Sequence, residues 1–369
     1  MQSIRSSQSK IEIKEISLIR SISCLSIVFL HSIVLIVGYD YTQETIYASI
    51  LMAIAGFLSF GTPAFVFISE LILAHSYKGK LPNGFYAKRI KYILVPFFIM
   101  AAFYAIVQNY NSISSIPTHF LLNIIGNYHG WFILVIFQFY LLHQFFNKYL
   151  VSKSPKKVIM ISFTINILFL SIFNFLPKPY ENTFFNYLWD KGYWIPCLGW
   201  IFYFSIAYYA GRYYKEFQEL LKKNIIPISI ALFMSFLLVL FCNNFDNLGF
   251  GSKRVDMLIF SSLLILVMFH LFRKINEIGY FFELINRYSF GIYLCHIFFL
   301  LTAQKVLTVT NLINILGYLS IIILFASGIC GSVIAVNLLN KFTYGKYIIG
   351  NVKIPKGNAQ KERNAGVAV

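Results

Sequence analysis

Ten apolar stretches, each long enough to cross a lipid bilayer as a helix, fill most of this 369-residue chain. A crossing segment of about 20 apolar residues has to be helical, because lipid leaves every backbone N–H and C=O to be paired inside the segment. The connections between the stretches are short, and only 12% of the residues are charged. The stretches span residues 16–37, 46–74, 92–108, 130–147, 158–176, 193–211, 225–242, 255–272, 284–304 and 312–340. The sequence therefore predicts an all-α, polytopic membrane protein with about ten transmembrane helices.

The basic residues are distributed unevenly between alternate connections. One set of connections holds twenty-four lysines and arginines, whereas the other set holds five. The richer set comprises residues 1–15, 75–91, 148–157, 212–224, 273–283 and 341–369. By the positive-inside rule the richer set is cytoplasmic, so both termini are predicted to lie in the cytoplasm. This topology accounts for the net charge of +17, and we expect membrane lipid and no nucleic acid as partners.

The chain contains no stretch that we interpret as a separate soluble module. We expect one transmembrane domain over residues 1–345, followed by a cytoplasmic tail over residues 346–369 without ordered structure. The five cysteines lie in or beside apolar stretches without C-x-x-C spacing, so we interpret them as packing residues. Phosphate-binding loops, nucleophile elbows and zinc-helix motifs are not found, and acidic residues inside the spans are too few for a metal site. We therefore expect no bound metal and no resident cofactor.

The first span carries two ionisable residues, Arg20 and His31. They are eleven residues apart, which at about 100° per residue places them on one helix face, roughly 16 Å apart along the axis. An ionisable group inside the hydrocarbon layer costs a few kcal/mol unless it faces a cavity or a partner, so it marks a functional site by default. Arg20 can alternatively extend its guanidinium to the cytoplasmic surface. We expect His31 to lie past the middle of the membrane and Arg20 near its cytoplasmic side.

The second span is overlong and is interrupted by Gly61, Thr62 and Pro63, which should bend or break it. It runs back toward the cytoplasm, and Glu70 is expected at the same depth as Arg20. Two opposite charges at one level of a bilayer should neutralise each other, which predicts an Arg20–Glu70 pair.

The ninth span carries His296 near its middle, so two membrane-embedded histidines can meet there. A packed core histidine is the alternative interpretation of His296. The other histidines are expected at the membrane interfaces or have no evident partner in the sequence. These are His75, His119, His129 and His143 near span ends, and His270 near the inner end of the eighth span.

Basic residues cluster at the cytoplasmic ends of the second and third spans. Although this cluster is chiefly a topology signal, it also makes a cationic cytoplasmic mouth that attracts a polyanion. The residues are Lys78, Lys80, Lys88, Arg89 and Lys91.

An arginine followed after ten residues by a histidine, in the first of ten helices, resembles the acyltransferase 3 family. Four more segments are similar to family motifs and occur in the same order. They are FGTPAFVFISELIL (60–73), KRIKYILVP (88–96), HGWFILVIFQFYLL (129–142) and YSFGIYLCHIFFL (288–300). Each is loose alone, but together they cover most of the chain.

The resemblance implies a bacterial plasma-membrane O-acyltransferase that moves an acyl group, commonly acetyl, from cytoplasmic acyl-CoA to an extracytoplasmic glycan or lipid-linked sugar. His31 would then act as general base or carry the acyl group, and Arg20 would help to hold the donor. A neutral imidazole suits the first role because it can take a hydroxyl proton as a thioester is attacked. Substrate binding is assigned to Glu70, Arg89, Lys91, Trp131 and His296.

One departure from the family pattern leaves a second function open. Members that modify surface polysaccharides often have two glutamates in the fourth helix where this chain has Ile136 and Phe137. The segments FGTP, KYILVP and GWIFYF (199–204) are more similar to the branch that contains the intercellular-adhesion polysaccharide protein C. That branch has been interpreted as either exporter or O-acyltransferase, so the alternative is a polysaccharide export subunit without covalent chemistry. A small-molecule transporter is less favoured, because buried carboxylates are few.

Overall fold

A computed structural model describes residues 13–39, 45–243 and 251–352. Within these ranges the chain is helical and contains no β-strand. The helices are α1 (Lys14–Tyr39), α2 (Ile46–Leu58), α3 (Gly61–Ser76), α4 (Phe85–Arg89), α5 (Val95–Gln108), α6 (Ile116–Ile124), α7 (Phe132–Phe145), α8 (Pro155–Phe175), α9 (Thr183–Asp190), α10 (Ile201–Arg212), α11 (Tyr214–Cys242), α12 (Val255–Phe272), α13 (Tyr280–Val309), α14 (Leu312–Leu316) and α15 (Ser320–Asn340). The fold is therefore the all-α polytopic bundle that the apolar stretches predict.

Nine helical segments in the described part of the chain are long and apolar enough to cross a membrane. The predicted sixth span, 193–211, differs from the others because it consists of two 3-10 turns followed by the twelve-residue α10. Gln138 of α7 stabilises the irregular part, since its amide donates to the Ile195 carbonyl at 2.8 Å and accepts from the Cys197 N–H at 3.0 Å. Irregular backbone at this depth is possible only where protein groups supply such bonds.

The sixth segment still connects the two ends of the bundle. At one end, the ring of Trp200 stacks on Trp131 at the start of α7, with ring centroids 5.7 Å apart. At the other end, Arg212 donates to the Lys78 carbonyl just beyond α3 at 2.9 Å. Nine long helical segments plus this composite segment account for the ten predicted spans.

The second span is broken as its Gly-Thr-Pro sequence predicts. α2 ends at Leu58, and α3 begins at Gly61 after a turn in which the Ser59 hydroxyl donates to the Gly56 carbonyl at 2.6 Å. A Cβ at Gly61 would lie 2.8 Å from the Ser23 carbonyl oxygen of α1. The glycine therefore permits α3 to pack directly against the α1 backbone.

α1 lies at the centre of the bundle and packs against α2, α3, α13 and α15. Its buried face is rich in serine, and small side chains of this kind let neighbouring helices approach closely in a membrane. The buried serines are Ser17, Ser21, Ser23, Ser26 and Ser32. Ser21 also donates to the Phe282 carbonyl of α13 at 2.6 Å, which fixes the register of the two helices.

The segment that follows α15 begins against the bundle. Gly345–Tyr347 form a 3-10 turn, and Ile349 is fully buried in the core cluster that includes α1 and α13. The first seven residues of the predicted cytoplasmic tail are therefore packed as far as Val352. The rest of that predicted tail lies outside the described residues.

Candidate functional site

Arg20 and His31 both face α13. The Arg20 guanidinium donates to the side-chain oxygen of Asn286 at 3.2 Å, and the His31 ring lies 5.4 Å from the His296 ring, centroid to centroid. Residue numbers increase in the same direction along both helices, from Arg20 to His31 and from Asn286 to His296, so α1 and α13 run parallel. The predicted shared face and the predicted meeting of His31 with His296 are both confirmed.

A third histidine completes a cluster within the bundle. The His129 ring lies 5.3 Å from the His296 ring at 79°, so His296 stands between His31 and His129. The expected interfacial position of His129 is therefore wrong. In the sequence, the signal for this position is that the fourth span starts on the extracytoplasmic side, in the same half of the membrane as His31. Within the described ranges no group of three histidine, cysteine or acidic side chains is arranged to hold a metal ion.

The hydrogen bonds of the cluster determine which ring nitrogens carry protons. His296 Nδ1 lies 2.9 Å from the carbonyl oxygens of Ile292 and Tyr293, which can only accept, so Nδ1 bears the hydrogen. His296 Nε2 then holds a lone pair, and this buried atom has no hydrogen-bond partner among the described residues. His129 in turn donates from Nε2 to the Leu294 carbonyl at 3.2 Å.

Tyr104 inserts its hydroxyl into α13 beside these rings. The hydroxyl donates to the Leu294 carbonyl at 3.0 Å and accepts from the Phe298 N–H at 3.1 Å. It thus bridges the acceptor and donor that would pair with each other in a regular helix. Because His129 donates to the same carbonyl, two side chains hold the helical turn that carries His296.

A cavity of about 10 Å3 lies beside His296. Its walls come from α1, α3 and α13, including Cys24, Phe65 and Tyr293. His296, which is 1% exposed, therefore lines a small hollow between helices rather than a lipid-facing surface. The hollow has room for about one water molecule.

Glu70 is not paired with Arg20. Its Oε1 atom lies 2.7 Å from Nδ1 of His143, and both side chains are fully buried. The predicted Arg20–Glu70 pair is wrong, and so is the expected interfacial position of His143. The physical reason is that the neutral donor on α7 faces Glu70 directly, whereas the Arg20 side chain is directed toward α13.

Asn147 extends the Glu70–His143 pair toward the cytoplasmic side. Its amide nitrogen lies 2.9 Å from His143 Nε2, and its amide oxygen accepts from Tyr208 at 2.8 Å and from Arg212 at 3.3 Å. Since Asn147 donates to Nε2, the hydrogen of a neutral His143 is on Nδ1 and points to Glu70. The other carboxylate oxygen, Oε2, is buried without a partner among the described residues.

Arg89 and Lys91 lie at the inner end of the third span. The Arg89 guanidinium lies over the rings of Phe85 and Tyr140, at 5.0 and 5.3 Å from their centroids. Lys91 is exposed and lies 5.3 Å from the ring centroid of Tyr347. Both cations remain predicted donor-binding residues.

Trp131 lies next to the histidine cluster, two residues after His129 in the same 3-10 turn. Its indole contacts Trp194 and Trp200, with centroid separations of 5.4 and 5.7 Å. The amine of Lys253 lies 4.5 Å from its ring centroid. Its predicted role in substrate binding remains a prediction.

The fold and site define a multi-pass helical membrane protein with histidines enclosed in the bundle and cations at its inner end. Residues 13–337 match the model of the acyltransferase 3 family, described as "Acyltransferase domain", and the chain belongs to this family. The protein is therefore a multi-pass protein of a bacterial plasma membrane, and its family supports an acyltransferase activity.

Two kinds of relative share nearly the whole chain. The "Putative membrane-bound acyltransferase YfiQ" of Bacillus subtilis strain 168 is 37% identical over 358 residues, which cover 94% of this chain and 96% of the relative. The "Probable poly-beta-1,6-N-acetyl-D-glucosamine export protein" of Staphylococcus aureus strain NCTC 8325 is 26% identical over 341 residues, or 91% and 95% of the two chains. A protein with the same name from Staphylococcus epidermidis is 24% identical over 351 residues, or 91% and 94%. No solved structure shows a significant match to the chain.

Proposed function

We propose that this protein O-acylates an extracytoplasmic envelope glycan or lipid-linked sugar with an acyl group, commonly acetyl, from cytoplasmic acyl-CoA. One observation carries the proposal: His31 and Arg20 share one face of α1 against α13, with His31 beside His296 and its buried lone pair. The arrangement is suited to acyl transfer because donor and acceptor can approach it from opposite sides of the membrane.

His31 is the general base in this proposal. The residue is partly exposed, and the contact found for its ring among the described residues is with the His296 ring, so a nitrogen lone pair is available to a hydroxyl. His31 takes the proton of the acceptor hydroxyl while the hydroxyl oxygen attacks the thioester carbonyl carbon. The C–S bond then breaks, the coenzyme A thiolate leaves, and it takes up one proton. The ester is the second product.

The cations at the inner end of the bundle serve the donor. Coenzyme A carries phosphate groups, which bind guanidinium and ammonium groups through charge-assisted hydrogen bonds. Arg89 and Lys91 lie at the inner end of the third span, and Arg20 lies on the face of His31, toward the cytoplasmic end of α1. His296 and His129 position the reacting groups near His31. Neither histidine gains or loses a proton during the reaction.

The second candidate function is glycan export without covalent chemistry. The printed names of the staphylococcal relatives favour it, since they describe export of an N-acetylglucosamine polymer. An exporter needs a path for polymer and no general base. The two functions therefore differ in their dependence on the His31 imidazole.

The His31→Ala variant distinguishes the two functions. Alkaline-labile ester on envelope glycan and the amount of surface glycan are measured in a strain that lacks the protein and is complemented with each variant. We expect His31→Ala to abolish the ester while polymer still reaches the surface, with a loss of rate of about 100-fold or more. His119→Ala is the matched control, because among the described residues the His119 ring bonds only to the Ser115 carbonyl, just before α6. Unchanged ester in His31→Ala cells, or loss of surface polymer together with ester, would overturn the proposal.

A further inference from the structure

Three of the four tryptophans of the chain meet around a single lysine. The amine of Lys253 lies 2.9 Å from the ring centroid of Trp200, 4.5 Å from that of Trp131 and 5.7 Å from that of Trp194. Trp194 also accepts, through its carbonyl, a hydrogen bond of 2.8 Å from the Trp200 indole. We call Trp131, Trp194 and Trp200 the indole cage. The positive-inside rule places it on the extracytoplasmic side.

Lys253 is an unusual occupant of such a site. The residue is 3% exposed, and its amine has no hydrogen-bond partner among the described residues. Burial without a partner costs free energy and holds the pKa of the Lys253 amine well below its ordinary value. The indole faces attract the amine, but they do not replace the water that it loses. Moving the side chain out of the cage would therefore return the lost hydration to the amine.

The Lys253 backbone is held independently of its side chain. Asn174 of α8 donates to the Lys253 carbonyl at 3.3 Å and accepts from the Val255 N–H at 3.0 Å. The four-carbon side chain can consequently rotate out of the cage while the backbone stays in place.

The indole cage is continuous with the histidine cluster. Trp131 and His129 belong to one 3-10 turn. The ring of Phe132 contacts Trp200 on one side and Tyr293 on the other, with centroid separations of 6.4 and 6.5 Å. A molecule bound in the cage would lie beside the cluster.

We propose that the indole cage is a subsite for one sugar ring of the acceptor, and that Lys253 fills the cage until that sugar displaces it. This inference rests on the proposed function, because the indole cage would be the binding site for the glycan acceptor of the proposed acyl transfer. Flat indole faces pack against the C–H faces of a pyranose ring, and a displaced Lys253 regains its hydration. The amine of Lys253 now lies over the indole faces that the sugar would cover.

The fourth tryptophan provides a clean measurement. Trp189 lies on α9, where it packs on Phe173 and Phe185 outside the cage. In the full-length Trp189→Phe protein, reconstituted in nanodiscs, all indole emission comes from the cage. Titration with N-acetylglucosamine oligosaccharides should shift and quench that emission in a saturable way, whereas a maltose oligosaccharide serves as a comparison sugar. Emission that stays constant up to the solubility limit of both sugars would overturn the proposal.

A matched pair of variants tests the displacement in the same background. Lys253→Met keeps a side chain of similar length. Because the methionine side chain gains no favourable hydration when it leaves the indole cage, oligosaccharide binding should weaken by about tenfold. Lys253→Ala leaves the cage open, so binding should equal or exceed that of the parent protein. Equal affinities in the parent and in Lys253→Met would show that the lysine is only a packing residue and would overturn this part. Both variants are compared only where their thermal unfolding matches that of the parent protein.

The same preparations separate this inference from the proposed function. Ester formation is followed in parallel with acetyl-CoA as donor. If ester forms without any change in the tryptophan emission, the indole cage is not a sugar subsite, whereas the proposed acyltransferase function is retained. Saturable binding without ester would support the cage and refute acyl transfer.

Discussion

Glu70 shows at the residue scale how a buried carboxylate selects its partner. Coulomb attraction alone favours Arg20, but a hydrogen bond requires the donor to point at the oxygen, and His143 does so at 2.7 Å. The ring of His143 is oriented in turn by Asn147. Loss of either Glu70 or His143 should lower the stability of the protein, because the remaining side chain would be a buried polar group without a hydrogen-bond partner.

We expect Glu70→Ala to destabilise the protein by about 1–3 kcal/mol, because the His143 N–H would lose its acceptor. Glu70→Gln keeps an oxygen at that position and should cost less. Thermal unfolding of both variants in detergent measures the difference. The Glu70→Ala/His143→Ala double variant should be no less stable than Glu70→Ala, since the pair acts as a unit. Equal losses in Glu70→Ala and Glu70→Gln would contradict this account.

Lys253 should make stability depend on pH. Because its pKa is lowered in the folded state, the unfolded chain binds a proton that the folded chain does not bind, up to the ordinary lysine pKa of 10.5. Stability therefore rises with pH in that window, by at most about 1.4 kcal/mol per pH unit. Melting temperatures at pH 7 and pH 9 measure this effect. Lys253→Met should remove the rise, and an identical rise in both proteins would speak against the lowered pKa.

At the scale of elements, α10 and α3 are held together by a glycine contact. A Cβ at Gly211 would clash with the Leu71 carbonyl oxygen and would lie 3.1 Å from the Ala74 Cβ. Backbones in contact at this distance leave no room for a methyl group. The neighbouring His75 ring also lies 3.3 Å from the Gly211 carbonyl.

We expect Gly211→Ala to destabilise the bundle by about 1–3 kcal/mol through overpacking. Gly79→Ala is the control, because nothing lies within 4 Å of a Cβ at that position. Expression level and melting temperature in detergent provide the readout. A Gly211→Ala protein as stable as the Gly79→Ala protein would mean that α10 and α3 are farther apart.

The turn of α13 around His296 provides a second prediction at this scale. Tyr104→Phe removes the hydroxyl that bridges the Leu294 carbonyl and the Phe298 N–H, so this turn should close into regular helix and shift His296. If acyl transfer is the function, ester formation should become slower by about tenfold or more, because misplaced reacting groups lower the rate of a reaction by such factors. Tyr110→Phe is the control, because the exposed Tyr110 hydroxyl bonds to Lys305 near the end of α13 and not to the turn around His296. Ester formation equal in both variants would show that the bridge does not position the site.

At the scale of the whole molecule, the parallel course of α1 and α13 gives the site its direction. Arg20 meets Asn286 toward the cytoplasmic end, and His31 meets His296 toward the outside. The ordering puts a cation on the side where an acyl-CoA arrives and a base on the side where a glycan arrives. The direction depends entirely on the topology.

The topology is testable by cysteine labelling in a variant whose five native cysteines are replaced by alanine. A membrane-impermeant maleimide applied to intact cells should label Ser112→Cys, in an extracytoplasmic connection. It should reach Lys80→Cys only after the membrane is permeabilised, because the basic connections face the cytoplasm. Both positions are exposed, so access to the reagent depends only on the side of the membrane. The reverse pattern would invert the orientation of the whole bundle.

Much of the site could be predicted from the sequence because depth in a membrane follows from counting residues. The rise per residue places His31 and His296 at similar depths, and the 3.6-residue period puts Arg20 on the face of His31. The contribution of His129 was missed, although its depth could have been counted in the same way.

What the sequence indicated by itself is the number of spans, a predicted orientation, and the shared face and similar depths of Arg20, His31 and their partners on α13. These properties follow from segment length and charge bias, which are local quantities along the chain. Only the tertiary structure decided that Glu70 meets His143, that His129 joins the other two histidines and that Lys253 enters the indole cage. Those contacts depend on how each helix is rotated about its own axis, and rotation is determined by the packing of several neighbours at once.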